Sequence, residues 1–207
     1  MRSSANQNRK QNLHLRIRIG IPMLLFTLLM ILAEPQRVLP CFLAAAFHEC
    51  GHILLARLMK IPLKDLKLDL LGAKINLSDG LISYRAEFLL CAAGPLFSFF
   101  LWLLLLYSHR FPALPEVRTL LSATGDSSLS LGILNLLPVR GFDGSRMLSS
   151  VLSVLISDRF AEKADRFFTG FFLIFLWGIS VYMMLINGNG LFLFTFSVMI
   201  FRKAYID

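Results

Sequence analysis

The chain is a series of apolar runs separated by short polar and basic segments. Judged against a span of about 20 residues, these runs predict about six transmembrane helices, at 19–33, 38–59, 88–107, 119–137, 167–186 and 191–201. The first and last runs are short for a crossing. Residues 1–18 are polar and basic, and we expect them to form a cytoplasmic tail ahead of one membrane domain at 19–207. The pattern therefore predicts an all-α polytopic membrane protein.

The polar segment between the second and third runs has a different period. Residues 66–70 and 73–77 alternate apolar and polar side chains, with Gly72 between the two stretches. A period of two predicts strands, so we expect a short β-hairpin on the cytoplasmic side and a third strand at 81–84. Such an edge would hold an extended substrate by strand addition, whereas an ordinary interfacial loop would have no such role.

Composition and charge agree with a membrane protein. Apolar residues make up 56% of the chain and charged residues 16%, and the formal net charge is +8. All Lys and Arg residues except Arg37, Arg110 and Arg118 fall on one side of the predicted membrane, which places both termini in the cytoplasm. The basic residues flank the spans, so they predict contact with the lipid bilayer. The positive charge therefore needs no nucleic-acid partner to explain it.

Three ionisable residues lie close together in the second apolar run. His48 and His52 are four residues apart and share one face of a helix, where two imidazoles can bind one metal ion. Glu49 lies beside them, as the general base of such sites does, while Cys50 faces away. Ionisable groups at membrane depth indicate a functional site. The alternative is a chance pattern of core histidines, but burying them unpaired would cost several kcal/mol.

A second polar segment follows the fourth run, on the same predicted side of the membrane. Pro138 ends the helix, and Gly141 and Gly144 permit sharp turns, so Asp143 can fold back toward the histidines. Two imidazoles and a carboxylate form an ordinary catalytic zinc set with a fourth position open to water. Asn135 lies one turn before the break, and it would either serve the site or satisfy backbone groups that Pro138 frees.

These segments resemble the site-2 protease family of intramembrane zinc metalloproteases. The resemblance rests on His-Glu-x-x-His at 48–52, on Asn-x-x-Pro-x-x-x-x-Asp-Gly at 135–144, and on Ala-Gly-Pro-Leu at 93–96. It covers a core at 38–146 and is closest to the compact branch that includes the stage IV sporulation protein FB. Relatives often carry an amide where this chain has Ser98 and a second glycine where it has Ser145. We expect neither serine to touch the metal set.

The resemblance implies a zinc endopeptidase that cleaves membrane-anchored proteins within or next to a transmembrane segment, in a bacterial cell membrane. Relatives of this kind release transcription or sigma factors. Glu49 would take the proton of the attacking water, and Asn135 would bind a substrate carbonyl or the developing oxyanion. Asn135 and Gly72 would contact the substrate. The ligands of Zn²⁺ would be His48, His52 and Asp143.

The chain is expected to carry no separate regulatory domain, so regulation would come from membrane partner proteins or from the substrate. A non-proteolytic alternative is a pseudoprotease that retains transmembrane clients, or a zinc-binding membrane protein. Glu49 separates the two classes, because metal retention needs the three ligands but not the base. A transporter would be expected to show internal repeats, and the sequence has none that we can identify.

Overall fold

The computed structural model describes residues 16–19, 35–61, 63–69, 72–77, 82–107, 114–187 and 191–205. Within these residues the chain forms six helices and three short strands. The helices are α1 (Pro35–Leu58), α2 (Tyr84–Leu105), α3 (Pro115–Asn135), α4 (Asp143–Leu155), α5 (Asp158–Asn187) and α6 (Leu191–Tyr205). The strands are β1 (Arg16–Ile19), β2 (Leu63–Asp69) and β3 (Gly72–Leu77).

Three helices in the described ranges are long and apolar enough to cross a membrane: Val38–Leu58 of α1, Tyr84–Leu105 of α2 and Asp158–Ile186 of α5. The chain is an integral membrane protein, but the prediction of about six crossings is not supported. The run at 119–137 is helical as part of α3, yet its Ser, Thr and Gly residues and Asp126 make that helix too polar. Helix α6 has only 15 residues. The first predicted run lies outside the described residues, except for Ile19 in β1.

Strands β2 and β3, which lie between α1 and α2, form a small sheet with β1 from before α1, in the order β1-β2-β3. Strands β2 and β3 pair antiparallel, with Leu66 opposite Ile75, and β1 lies parallel to β2 with Ile17 opposite Leu66. The central strand is therefore β2, and β1 and β3 are the edges.

The third strand predicted at 81–84 is wrong, because a helix begins there. Ser83 is the N-cap of α2, and its hydroxyl accepts a hydrogen bond from the backbone N–H of Ala86 at 3.3 Å. A serine that satisfies a free N–H of the first turn favours a helix start. Tyr84 is the first residue of the helix, and the strand beside β2 comes instead from β1 near the N-terminus.

Helix α1 ends in a Schellman motif that fixes where the chain leaves it. Lys60 has a φ of 55°, the backbone N–H of Ile61 donates to the carbonyl of Ala56 at 2.9 Å, and the N–H of Lys60 donates to the carbonyl of Arg57 at 3.0 Å. Ala56 is fully buried and packs in a cluster with Leu90 of α2 and with Ile61. The last turn of α1 is thus held against α2 by both backbone and side-chain contacts.

Helices α1, α2 and α3 pack against one another, and α4 contacts both α2 and α5. The close approach depends on small residues. A Cβ on Gly51 of α1 would lie 2.7 Å from the carbonyl oxygen of Ala93, and a Cβ on Gly132 of α3 would lie 3.1 Å from the Cβ of Ser98. Small residues allow this packing in membrane helices, where close van der Waals contact drives association. The middle of α2 is therefore pressed between α1 and α3.

Candidate metal centre

The two histidines occupy one buried face of α1, as the sequence predicts. Their exposed fractions are 3% for His48 and 6% for His52, and their Nε2 atoms are 3.3 Å apart. Cys50, two residues from each, is exposed on the other side of the helix, and Glu49 is half-buried beside them. The helical spacing alone brings the two imidazoles together.

Asp143 is the first residue of α4 and completes a compact group of ligand atoms. Its Oδ2 lies 3.2 Å from Nε2 of His48 and 3.2 Å from Nε2 of His52. We call these three atoms the ligand triangle. Tetrahedral ligands placed 2.0–2.1 Å from a zinc ion are separated by about 3.3–3.4 Å. The edges of the triangle therefore match the spacing that such an ion requires.

The carboxyl group of Asp143 is an anion at physiological pH. Burial would raise its pKa, but the hydrogen bonds and charges of His48 and His52 outweigh burial and lower the pKa to about 2. An ionised carboxylate is the form that binds a metal ion. The third ligand is thus ready over the whole physiological range.

Nδ1 of each histidine, the ring nitrogen that faces away from the triangle, has a hydrogen-bond partner of its own. Nδ1 of His52 lies 2.8 Å from the backbone carbonyl of Leu90, and because a carbonyl only accepts, Nδ1 must carry the proton. In the neutral imidazole, which is the form that binds a metal ion, the lone pair is then on Nε2, which faces the triangle. Nδ1 of His48 lies 2.9 Å from the hydroxyl of Ser98. Partners of this kind orient metal-binding histidines and fix their tautomer.

The expectation that Ser98 does not touch the metal set is wrong. Ser98 is fully buried, bonds His48 through its hydroxyl, and accepts a hydrogen bond at its carbonyl from Ser128 of α3 at 2.9 Å. The signal was in the sequence: Ser98 is four residues after Gly94 and so shares its face of α2.

Gly94 leaves the space between the histidines free. A Cβ at this position would overlap Nε2 of His52 and lie 2.5 Å from Nε2 of His48. A side chain at this position would therefore press on the two nitrogens that would hold an ion. The absence of a side chain keeps the space beside the ligand triangle open, which gives the glycine at 94 a physical reason.

The two predicted substrate contacts, Asn135 and Gly72, have partners of their own in the structure. The side-chain amide of Asn135 donates to the carbonyl of Leu131 on its own helix at 3.0 Å. The carbonyl that Pro138 cannot satisfy is that of Leu134, and it accepts from the backbone N–H of Leu137 at 3.1 Å. Gly72 is the first residue of β3, opposite Asp69 of β2. The substrate roles of Asn135 and Gly72 stay predictions.

The fold is similar to that of a known protease. The site-2 protease from Methanocaldococcus jannaschii superposes with a TM-score of 0.67 at 22% sequence identity, over 91% of this chain and 88% of that one. No protein-family model matches the sequence. No curated protein matches it either. The resemblance predicted from the two motifs is thus supported by the arrangement of the helices. The chain has the fold of a site-2 protease.

Proposed function

We propose that this protein is a zinc-dependent intramembrane endopeptidase. It cleaves membrane-anchored protein substrates within or next to a transmembrane segment. The ligand triangle carries this proposal, because the distances between its three atoms suit zinc. Its two histidines and Glu49 lie on a helix that is apolar enough to span the membrane.

The donor set of two imidazoles and one carboxylate leaves a fourth position for the reacting groups. A zinc ion held by His48, His52 and Asp143 would supply Lewis acidity, which would polarise the scissile carbonyl and make water a stronger acid. Glu49 accepts the proton of the attacking water and delivers it to the leaving amine. Asn135 binds the oxyanion once its side-chain amide leaves the carbonyl of Leu131, a role that the sequence resemblance implies.

The substrate must be extended at the cleavage point, because a helical backbone hides its carbonyls. An edge strand offers a template for such a segment. Among the described strands, β2 is paired on both sides, so β1 and β3 are the edges. Gly72 is the first residue of β3. We assign substrate binding to the β3 edge, with Gly72 at its start.

We further propose that the site and both termini face the cytoplasm of a bacterial cell, as the distribution of Lys and Arg favours. Cleavage there would release a transcription or sigma factor from its membrane tether, as in sporulation. Membrane proteins that bind this domain would regulate it. These assignments extend the sequence resemblance and depend on the same protease activity.

The test is coexpression with a panel of single-span membrane proteins, each carrying an epitope on its cytoplasmic side. Wild type is compared with Glu49→Gln, which keeps the size of the side chain but removes the base. Cys50→Ser is the matched control, since Cys50 is adjacent in sequence and faces away from the triangle. We expect fragments from wild type and Cys50→Ser, none from Glu49→Gln, and bound zinc in all three proteins.

Three results would contradict the proposal. If Glu49→Gln cuts as wild type does, Glu49 is not the base. If wild type binds zinc and cuts nothing in the panel, the protein is a pseudoprotease or another zinc-binding membrane protein. Absence of zinc from wild type would remove the metal site as well.

A further inference from the structure

The loop between α3 and α4, which delivers Asp143, is anchored on two helices that carry no sequence motif. Val139 and Phe142 of this loop are buried and pack with Leu173 of α5 and Ile200 of α6. Apolar contact of this kind fixes where the loop lies but not how it is turned about its own axis. The orientation is determined by polar contacts.

Asp165 of α5 makes those contacts. One of its carboxylate oxygens accepts a hydrogen bond from Nε of Arg140 at 2.5 Å, and the other accepts one from the hydroxyl of Ser145. The exposed fraction of the Asp165 residue is 8%, so the carboxylate of this ion pair is largely removed from water. We call Arg140, Asp165 and Ser145 the loop clamp. Charged hydrogen bonds are about twice as strong as neutral ones.

The loop clamp is tied to the C-terminal helices at two further points. The backbone N–H of Arg140 donates to the hydroxyl of Thr169 on α5 at 3.0 Å. Its guanidinium donates to the backbone carbonyl of Ala204 on α6 at 3.2 Å. Arg140 is therefore held through its backbone and its side chain together, on both α5 and α6.

The two residues that bond Asp165 lie on either side of Asp143 in the sequence. Arg140 is three residues before Asp143, and Ser145 is two residues after it. Between them Gly141 has a φ of 97°, and Gly144 lies directly against the carbonyl of Leu136, so the loop is folded tightly with little freedom. Fixing both ends of this short turn to one carboxylate fixes the backbone of Asp143.

We infer that Asp165 is a positioning residue for Asp143, acting through Arg140 and Ser145. Helices α5 and α6 thereby hold the third ligand of the metal site in place. The inference rests on the proposed function only in taking Asp143 as a metal ligand. None of the three clamp residues touches the reacting atoms, and the role does not require that the protein cleave anything.

The experiment measures cobalt binding and hydrogen exchange on the full chain in detergent. Co²⁺ is titrated into metal-free protein, giving a dissociation constant and an absorption spectrum that reports the ligand geometry. Amide exchange over 139–150 reports the loop without any metal. The variants are Asp165→Asn and Ser145→Ala. Glu162→Gln is the control, because Glu162 lies on α5 three residues earlier, is exposed, and pairs with Arg166.

We expect Asp165→Asn to weaken Co²⁺ binding about tenfold or more, the range found for residues that orient metal ligands. Its cobalt spectrum should change, and its loop should exchange faster. Ser145→Ala removes one of the two contacts to Asp165, so the same changes should be smaller. If Asp165→Asn fails to fold, Ser145→Ala carries the test. Glu162→Gln should match wild type in every readout.

Wild-type affinity and an unchanged cobalt spectrum in a folded clamp variant would overturn the inference, even if the loop exchanged faster. If wild-type protein binds no Co²⁺, the proposed function fails, and loop exchange alone decides whether Asp165 holds Asp143. If wild type binds Co²⁺ but cleaves no substrate, the protease proposal fails while the clamp is still judged by affinity and spectrum.

Discussion

The two histidines and the aspartate reach the ligand triangle by different routes. His48 and His52 are aligned by the repeat of a single helix and are oriented by Leu90 and Ser98 of the neighbouring helix. Asp143 begins a helix after an irregular loop, and the loop is bonded to α5 and α6. The histidine side therefore depends on contacts within 48–98, and the aspartate side depends on residues as far away as Ala204.

The largest expected effect is on the histidine side. Gly94→Ala would place a methyl group against the Nε2 atoms of His52 and His48, the two nitrogens that would hold an ion. We expect metal content to fall to background, and overpacking to destabilise the fold by about 1–3 kcal/mol. Metal analysis and thermal unfolding of the purified protein measure both. Normal zinc content in Gly94→Ala would show that the ion does not lie between the histidines.

Gly144→Ala applies the same change to the aspartate side. Its Cβ would overlap the carbonyl of Leu136 and lie 2.7 Å from that of Leu137, and backbone atoms cannot rotate away. We expect α4 to shift, with weaker metal binding and a loss of about 1–3 kcal/mol of stability. Gly178→Ala of α5 is the control, because nothing lies within 4 Å of its added Cβ. Gly178→Ala should be at least as stable as wild type, because alanine favours a helix more than glycine does. If Gly144→Ala matched Gly178→Ala in stability and metal binding, the prediction would be refuted.

Ser98→Ala tests the orientation of His48 without adding any atom. Loss of the hydroxyl leaves Nδ1 of His48 buried and without its partner, so we expect metal affinity to fall about 10–100-fold. Chelator competition measures the affinity. Ser130→Ala is the matched control, because that hydroxyl is exposed and donates only to the carbonyl of Asp126 on its own helix. Unchanged affinity in Ser98→Ala would mean that packing alone orients the imidazole.

The smallest effect is expected where α4 meets α2. Arg146 and Glu87 form an ion pair at 3.2 Å, with side chains 40% and 33% exposed, so water screens their attraction. We expect Arg146→Gln or Glu87→Gln to cost about 1 kcal/mol or less and to leave metal affinity unchanged. A double-mutant cycle in thermal unfolding isolates the pair. A tenfold loss of affinity would mean that α2 positions Asp143 as strongly as α5 does.

The grouping of His48, His52 and Asp143 could be predicted from the sequence, because each residue is positioned by features of its own short segment. Helical spacing places His48 and His52 on one face, and the breaks at Pro138 and Gly141 allow Asp143 to turn back. No such pattern exists for Asp165. A single carboxylate in an amphipathic stretch looks like any surface residue, and its partners Arg140 and Ser145 are 25 and 20 residues away. Contacts of this kind depend on how helices pack.

The errors in the predicted fold have equally local causes. The leucines and other apolar residues of 119–137 suggest a span, but the Ser, Thr and Gly residues and Asp126 of α3 make that helix less apolar than the three long helices that can cross a membrane. The strand expected at 81–84 rested on a few apolar residues, and the capping bond of Ser83 favours the helix instead. In a segment of only four residues, one capping hydrogen bond can decide between a strand and the start of a helix.

The bond from Arg140 to the carbonyl of Ala204 has a consequence for the order of assembly. A chain is synthesised from its N-terminus, so α1 and α2 can pack and align both histidines while α5 and α6 are still missing. Asp165 and Ala204 emerge later, and until then the loop that carries Asp143 lacks its polar contacts with α5 and α6. A partly made chain therefore has the two histidines aligned before the aspartate is held. On the proposed function, such a chain would not yet cut neighbouring nascent membrane proteins, because its metal centre would mature only when α5 and α6 have docked.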